Sequence, residues 1–355
     1  MKLLFVFYVP SGGVETLNRE RAAALKPAGI QCDYLYYSKR RELINHENAN
    51  VYITNQDEEI RKILQKGRYD AIIVTSDYSG MERFRRLGYK GKIILEIQGF
   101  GPKNVARAEL QKAIPYVTQH CDGLLYPKTP HIGRIFNEFF PTKPTFAFNN
   151  CFNHLAFSYK PLPRINKPIV AWIGRLEDNK NWKEFLHIGH ELVKRNSAIV
   201  LYMFEDPSLS TPKERNDFMQ LKRLLNLDGH LSLLQNVPHQ QMQNYFSKIG
   251  DSGGFLCSTS KVEGAPYSLL EAMSCRCPVL TTDSDGVRSS ILHNQSGKYY
   301  QIGNIPDAVT QAEELMNNKK LRDYIIENAL SHLKTQFSHD QYCRNFSAML
   351  KRLGI

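Results

Sequence analysis

No stretch of this 355-residue chain approaches the roughly 20 apolar residues that a membrane-spanning helix requires. The apolar opening, Met1 to Tyr8, is short, has no small-residue cleavage site, and runs straight into Pro10-Ser11-Gly12-Gly13. It reads as a first buried strand rather than a signal peptide. The seven cysteines are scattered singly; the closest pair, Cys275 and Cys277, is not a C-x-x-C, and no nearby His or Cys completes a zinc set. That excludes a disulfide framework and leads us to expect reduced thiols in a cytoplasm. Neither G-x-G-x-x-G nor the Walker pattern G-x-x-x-x-G-K-[ST] occurs. The interleaved basic and aromatic residues of a single-strand binder are also missing, so nucleic acid ranks lowest among partners despite a formal charge of +11.

The remaining composition, 42% apolar and 23% charged, is that of an ordinary soluble globular protein. The length exceeds what one core usually fills, so two domains are expected. Positive charge is uneven: residues 1–160 hold 23 Lys/Arg against 15 Asp/Glu, and residues 161–355 hold 23 against 20. A basic first half suits an anionic acceptor or peripheral contact with the inner face of an acidic membrane, and equally a solvated surface with no partner.

Strand and helix patterns alternate in two series, the signature of parallel sheets covered on both faces. The first has strand-like runs at Lys2–Tyr8, Gln31–Tyr36, Val51–Thr54, Ala71–Thr75, Lys92–Ile97, Gly123–Tyr126 and Thr145–Phe148, with helical patterns such as Val14–Leu25 and Val105–Gln119. A proline-bearing polar stretch, residues 159–168, then reads as a linker. The second series runs through Ile169–Ile173, Ala198–Phe204, Leu231–Leu234, Gly254–Cys257 and Pro278–Thr281, with helices such as Trp182–Lys194 and Ser268–Ser274. Helical patterns at Ile305–Asn317, Leu321–Leu333 and Gln341–Leu353 close the chain. We therefore expect an α/β protein of two Rossmann-like domains, 1–160 and 161–339, with a last helix at about 340–355 packing back on the first.

Open sheets of this kind bind ligands beyond the carboxyl ends of their strands, so the strand-to-helix loops are where chemistry is sought. Pro10-Ser11-Gly12-Gly13-Val14-Glu15 follows the first strand; paired glycines let backbone amides approach an anion at a helix N-terminus, though a plain tight turn explains them equally. Gly174-Arg175-Leu176-Glu177-Asp178-Asn179-Lys180 places two cations beyond another strand, suited to phosphate oxygens. The competing reading pairs Arg175 with Glu177 or Asp178. A third segment, Ser258 to Met273, carries a Gly/Pro turn between Glu263 and Glu271, and its amides would face the same place as Arg175 and Lys180. Two carboxylates flanking a phosphate grip suit the hydroxyls of a ribose and a hexose around a diphosphate. A packing role for Glu271 remains open, although a buried carboxylate needs partners.

The run Glu263-Gly264-Ala265-Pro266…Glu271-Ala272-Met273, E-x(7)-E, followed by Pro278-Val279, resembles the donor-site signature of glycosyltransferase family 4, retaining enzymes of GT-B fold. Gly12-Gly13-Val14-Glu15 resembles that family's GGxE loop, and Asn150-Cys151-Phe152-Asn153…Phe157 its NGVDxxxF segment. Gly174-Arg175-Leu176…Lys180-Asn181 resembles GRLxxxKN; Gly286-Val287 and His293…Gly297 resemble a later stretch. The matches keep their order over nearly the whole chain. The resemblance implies two facing domains across a deep cleft. It also implies that Arg175 and Lys180 bind the donor diphosphate near Gly174, with Gly264, Ala265, Pro266 and the amides of Tyr267, Ser268 and Leu269 completing the donor site. Glu263 would contact the transferred sugar, Glu271 the ribose, and Gly12 and Gly13 the diphosphate and acceptor. No metal or other cofactor is required; the nucleotide-sugar is a co-substrate.

The sequence departs from the pattern at Gln98, where the family often has His; at Arg276, usually Gly; and at Ser289, aligned with an expected Glu. Gln98 can hydrogen-bond the sugar but cannot take a proton. Asp283-Ser284-Asp285 spells D-x-D, a metal pattern of another fold, and reads better as turn residues. The expected activity is retaining transfer of a hexose or N-acetylhexosamine from a UDP- or GDP-sugar to a glycan, lipid-linked or small-molecule acceptor. A nucleotide-sugar epimerase and a non-catalytic nucleotide-sugar-binding protein are the alternatives.

Overall fold

The computed structural model describes residues 1–39, 49–163 and 165–355, except for the side chain of residue 285. The chain forms two compact units, Met1–Asn153 with Gln336–Ile355, and His154–Thr335. These boundaries fall earlier than the expected 160/161 and 339/340. The reason is local. Ser274 Oγ lies 2.6 Å from Phe157 O and 3.2 Å from His154 O, the Tyr159 hydroxyl donates to Asp251 (3.0 Å), and the Lys160 amide donates to Ser247 Oγ (3.0 Å). The segment entering the expected linker is thus fastened to the second unit.

The first unit has seven strands: β1 (Lys2–Phe7), β2 (Gln31–Tyr36), β3 (Val51–Ile53), β4 (Ala71–Thr75), β5 (Lys92–Glu96), β6 (Gly123–Tyr126) and β7 (Thr145–Ala147). All pair in parallel, in the order β3-β2-β1-β4-β5-β6-β7. Its helices are α1 (Gly13–Leu25), α2 (Asp57–Gly67), α3 (Gly80–Arg86), α4 (Lys103–Lys112), α5 (Ile114–His120) and α6 (Pro130–Phe139). Central strands of a parallel sheet lie under helices on both faces, which is why β1 and β4 are almost continuously apolar. Leu4, Val6, Ile72, Val74, Phe84 and Phe136 form part of the core. One expected helix, Val105–Gln119, is two: Pro115 stands in the first turn of α5, where its missing N–H ends α4 without cost to a new helix.

The second unit has β8 (Ile169–Ile173), β9 (Val200–Glu205), β10 (Leu231–Gln235), β11 (Phe255–Ser258), β12 (Val279–Thr282) and β13 (Lys298–Tyr300), parallel throughout, in the order β10-β9-β8-β11-β12-β13. The sequence reading lacked β13, whose three residues carry little apolar signal. The helices are α7 (Trp182–Arg195), α8 (Pro212–Leu224), α9 (His239–Asp251), α10 (Tyr267–Ser274), α11 (Ile305–Asn317) and α12 (Lys319–Gln336). Trp172, Trp182, Phe185, Phe218 and Phe255 dominate its core. The last helix, α13 (His339–Arg352), belongs to the first unit and packs on α1. Both units therefore carry the α/β architecture expected from the alternating pattern. Among the described residues, no helix is long and apolar enough to cross a membrane.

Candidate donor site

In the second unit the loops after β8 and β11 are joined by bonds that run in both directions. The Gly174 amide donates to Phe204 O (3.0 Å), and a Cβ at Gly174 would fall 2.9 Å from the Trp172 ring, so the chain turns here only as glycine. Buried Trp172 donates through Nε1 to Thr259 Oγ1 (3.0 Å), which itself lies 2.8 Å from Lys180 O and 3.0 Å from Asn181 O. The Lys261 amide donates to Asn179 O (2.9 Å) and Asn179 Nδ2 to Val262 O (3.1 Å). Lys261 Nζ sits 2.6 Å from Asp178. From the β12 side, the Gly286 amide donates to Glu263 O (3.0 Å), and a Cβ there would meet Gly264 O at 2.0 Å. Three loops are thus packed backbone to backbone.

This packing fixes the charged groups. Lys180 forms an ion pair with Glu263, both side chains largely buried. Arg175 is half-exposed and lies 2.9 Å from Glu177, the pairing that the sequence left open, rather than joining Lys180. Gly264, Ala265 and Pro266 make the turn, and α10 begins at Tyr267 with Pro266, whose side chain cannot cap it, at the N-cap. Of the three amides expected to face an anion at Tyr267, Ser268 and Leu269, that of Leu269 is engaged by Pro266 O (3.2 Å). Glu271 is buried, and its Oε1 lies 2.8 Å from His239 Nε2. The His239 ring sits 5.2 Å from that of Phe157. A carboxylate accepts only, so Nε2 carries the proton. His239 and the Trp172–Thr259 strut escaped the sequence reading. His239 opens α9 after β10, far in sequence from E-x(7)-E, and only the order of strands places it beside Glu271.

In the first unit Gly12 caps α1 at φ 74°, a backbone state suited to glycine, and among the described residues nothing beyond the adjoining chain lies within 4 Å of a Cβ built on Gly12 or Gly13. Gln98 follows β5 in a polar chain. Fully buried Arg21 Nη2 meets both oxygens of Glu96 at 2.9 and 3.0 Å, and Thr75 Oγ1 donates to Glu96 (2.8 Å). Gln98 Nε2 donates to Glu96 (3.0 Å), and Asn150 Nδ2 donates to Gln98 Oε1 (2.7 Å). Burial pulls the Arg21 guanidinium toward its neutral form, but the Glu96 carboxylate outweighs it and holds the group charged, its pKa raised.

The departures from the family pattern have structural counterparts. Arg276 stands at φ 60°, the left-handed conformation that glycine takes freely, with its guanidinium 5.5 Å from the Tyr159 ring. Ser289 Oγ bonds Gly286 O (3.3 Å), and Asp283 is bound by Arg288 through two nitrogens.

Known proteins agree with this architecture. Residues 158–332 match the family model described as Glycosyl transferases group 1. Alpha-D-kanosaminyltransferase of Streptomyces kanamyceticus is 20% identical over 54% of this chain and 47% of its own length. YtcC of Bacillus subtilis, a putative glycosyltransferase by name, is 22% identical over 49% and 42%. These two matches thus span about half the length of each relative. An uncharacterized glycosyltransferase of Haemophilus influenzae is 22% identical over 88% of both chains. Among solved structures, sucrose-phosphate synthase of Thermosynechococcus elongatus superposes with a TM-score of 0.83 at 14% identity over 99% of each chain. Anabaena HepE, solved with UDP and glucose, gives 0.81 at 15% over 99% of this chain and 100% of its own. The chain has the GT-B glycosyltransferase fold, and its second unit carries the sequence pattern of the group 1 glycosyl transferases.

Proposed function

We propose that this protein transfers a hexose or N-acetylhexosamine from a UDP- or GDP-sugar to an acceptor hydroxyl, with retention at the anomeric carbon and without a metal. The Lys180–Glu263 junction, fixed by backbone bonds among three loops, is the observation that carries this reading. It sets a cation beside a carboxylate, and a carboxylate suits the hydroxyls of a sugar. On donor binding Lys180 meets the diphosphate, and half-exposed Arg175 exchanges Glu177 for a phosphate oxygen. Glu263 accepts from hydroxyls of the transferred sugar, and Glu271, steadied through Oε1 by His239, accepts from the ribose.

The bond from the anomeric carbon to the donor phosphate breaks with its electron pair on the departing diphosphate. The acceptor oxygen bonds to that carbon, and its proton passes to a phosphate oxygen. Preorganised positive charge lowers the barrier because it faces the growing negative charge without reorganising. Gln98, unable to take a proton, serves as a hydrogen-bond partner. That a chain of this fold, Anabaena HepE, binds UDP and glucose makes UDP-glucose the first donor to test.

The test is a thermal-shift panel of UDP- and GDP-sugars, since a ligand that binds the folded state raises stability by mass action. Product analysis with and without acceptor follows. Stabilisation by one nucleotide-sugar together with acceptor-dependent release of its diphosphate supports the reading. Conversion of donor alone to an isomeric sugar would identify an epimerase, and binding without turnover a non-catalytic protein.

A further inference from the structure

Beyond the donor site, the first unit carries a cluster of tyrosines at the carboxyl edge of its own sheet. Tyr8 follows β1, Tyr37 follows β2 and Tyr78 lies three residues beyond β4, so three adjacent parallel strands each deliver a tyrosine to the edge where such sheets take their ligands. The Tyr8 ring lies 5.5 Å from Phe7 and 6.1 Å from Tyr37, and Tyr78 lies 5.6 Å from Tyr116. Tyr37 donates to Asp77 (2.7 Å) and Tyr78 to Glu109 (3.0 Å). Asp77 is buried and also accepts from Ser79 and the Gly80 amide; a Cβ at Gly80 would come within 2.2 Å of it.

Packing accounts for Tyr37, Tyr78 and Tyr116, which lean on the core. It does not account for Tyr8, which is 44% exposed and whose hydroxyl donates to Ser76 O at 3.4 Å. Burial of its phenol, with Asp77, Tyr78 and Glu109 nearby, pushes the Tyr8 pKa up to about 12, so it remains a neutral ring and donor.

We infer that this tyrosine platform is a subsite for a neutral pyranose ring of the acceptor, stacked on Tyr8 and hydrogen-bonded at its rim. An aromatic face suits the C–H face of a sugar, and carboxylates accept from its hydroxyls. The charges favour a neutral ring over an anion. Asp77 and Glu109 border the platform; Arg83 lies 5.7 Å from the Tyr37 ring, but its nitrogens are committed to Asp57 and Asn55, and Lys112 is paired with Glu109. The identification of the sugar as an acceptor rests on the glycosyltransferase reading above.

Saturation-transfer NMR on the full chain, with methyl glucopyranoside, methyl galactopyranoside and methyl glucuronopyranoside as probes and UDP added or omitted, tests it. Transfer to ring C–H protons of a neutral pyranoside is expected. Affinity should be reduced roughly tenfold in Tyr8→Ala and kept in Tyr8→Phe. Tyr8→Leu, which keeps apolar bulk without a π-face, should behave as Tyr8→Ala and serves if the latter unfolds. The glucuronide should bind more weakly, and Glu109→Gln should narrow that gap. No transfer from either neutral probe, equal binding in Tyr8→Leu, or preference for the glucuronide would overturn the proposal. UDP stabilisation measured on the same samples separates the two readings: a protein that binds UDP and no pyranoside sinks this subsite alone.

Discussion

The two units share one architecture and finish their strands in opposite ways. In the second, the strand ends carry Lys180, Glu263 and Glu271, and neighbouring loops are locked backbone to backbone around them. In the first, the described strand ends carry Tyr8, Tyr37 and Tyr78, and a fully buried ion pair, Arg21 with Glu96, lies inward. The difference teaches where each unit needs rigidity. On the proposed function, charge that meets a diphosphate has to stand ready at the surface, whereas a buried pair can only orient what lies above it, here Gln98.

The largest expected effect breaks that contrast in the first unit. Arg21→Met leaves Glu96 buried without its cation and should cost about 3–5 kcal/mol of stability, read by chemical denaturation. Removing Lys180 strikes the second unit in function rather than in folding. Its pair with Glu263 is partly solvated, and we expect Lys180→Ala to lower turnover by roughly 10²–10³ with a small change in melting temperature. If Lys180→Ala instead unfolded the protein and Arg21→Met did not, the division of roles drawn here would be reversed.

Much of the local geometry around Lys180 and Glu263 was legible because these residues lie on loops whose spacing the sequence preserves: Gly174 to Lys180 is one loop, and Glu263 to Glu271 one turn and helix. The pairing of Arg175 was not legible, since one loop offers it Glu177, Asp178 or a ligand, and only geometry selects the first. Partners that meet through strand order, such as Trp172 with Thr259 or Arg21 with Glu96, stand 87 and 75 residues apart and leave no local pattern. The tyrosines of the first unit were missed for a related reason: each sits after a different strand, and only the order β2-β1-β4 brings them together.

Alkali sharpens the comparison from another side. Burial raises the pKa of Cys32 and Tyr36 to about 12 and of Cys121 to about 11 in the first unit, and of Cys277 to about 12 in the second. Tyr34, Tyr37, Tyr69, Tyr89 and Tyr342 of the first unit are raised further by the same cause, against Tyr299, Tyr300, Cys257 and Cys275 in the second. A folded-state pKa above the unfolded one means that the unfolded chain releases its protons first as pH rises. The stability these groups confer is therefore whole below the ordinary thiol value of 9.0 and falls as pH climbs toward 12. With more buried phenols, the first unit should lose amide protection before the second, as hydrogen exchange resolved by segment would show. Equal loss in both units would mean that they unfold as one cooperative body.

The smallest effect concerns His239. Its Nε2 proton holds Glu271 Oε1, so His239→Ala frees a buried carboxylate from one partner without removing a group that meets the diphosphate. A hydrogen bond to a charged group contributes about 1.5–3 kcal/mol, which translates into a rise of roughly 10- to 100-fold in the donor KM. If Glu271 holds the ribose as proposed, turnover should hold, because a ribose is bound alike before and during reaction. His239→Gln, with an amide to offer the same oxygen, should recover part of the loss. A fall in kcat with unchanged KM would instead assign Glu271 to the reacting end of the donor, and the roles of the two carboxylates in E-x(7)-E would have to be exchanged.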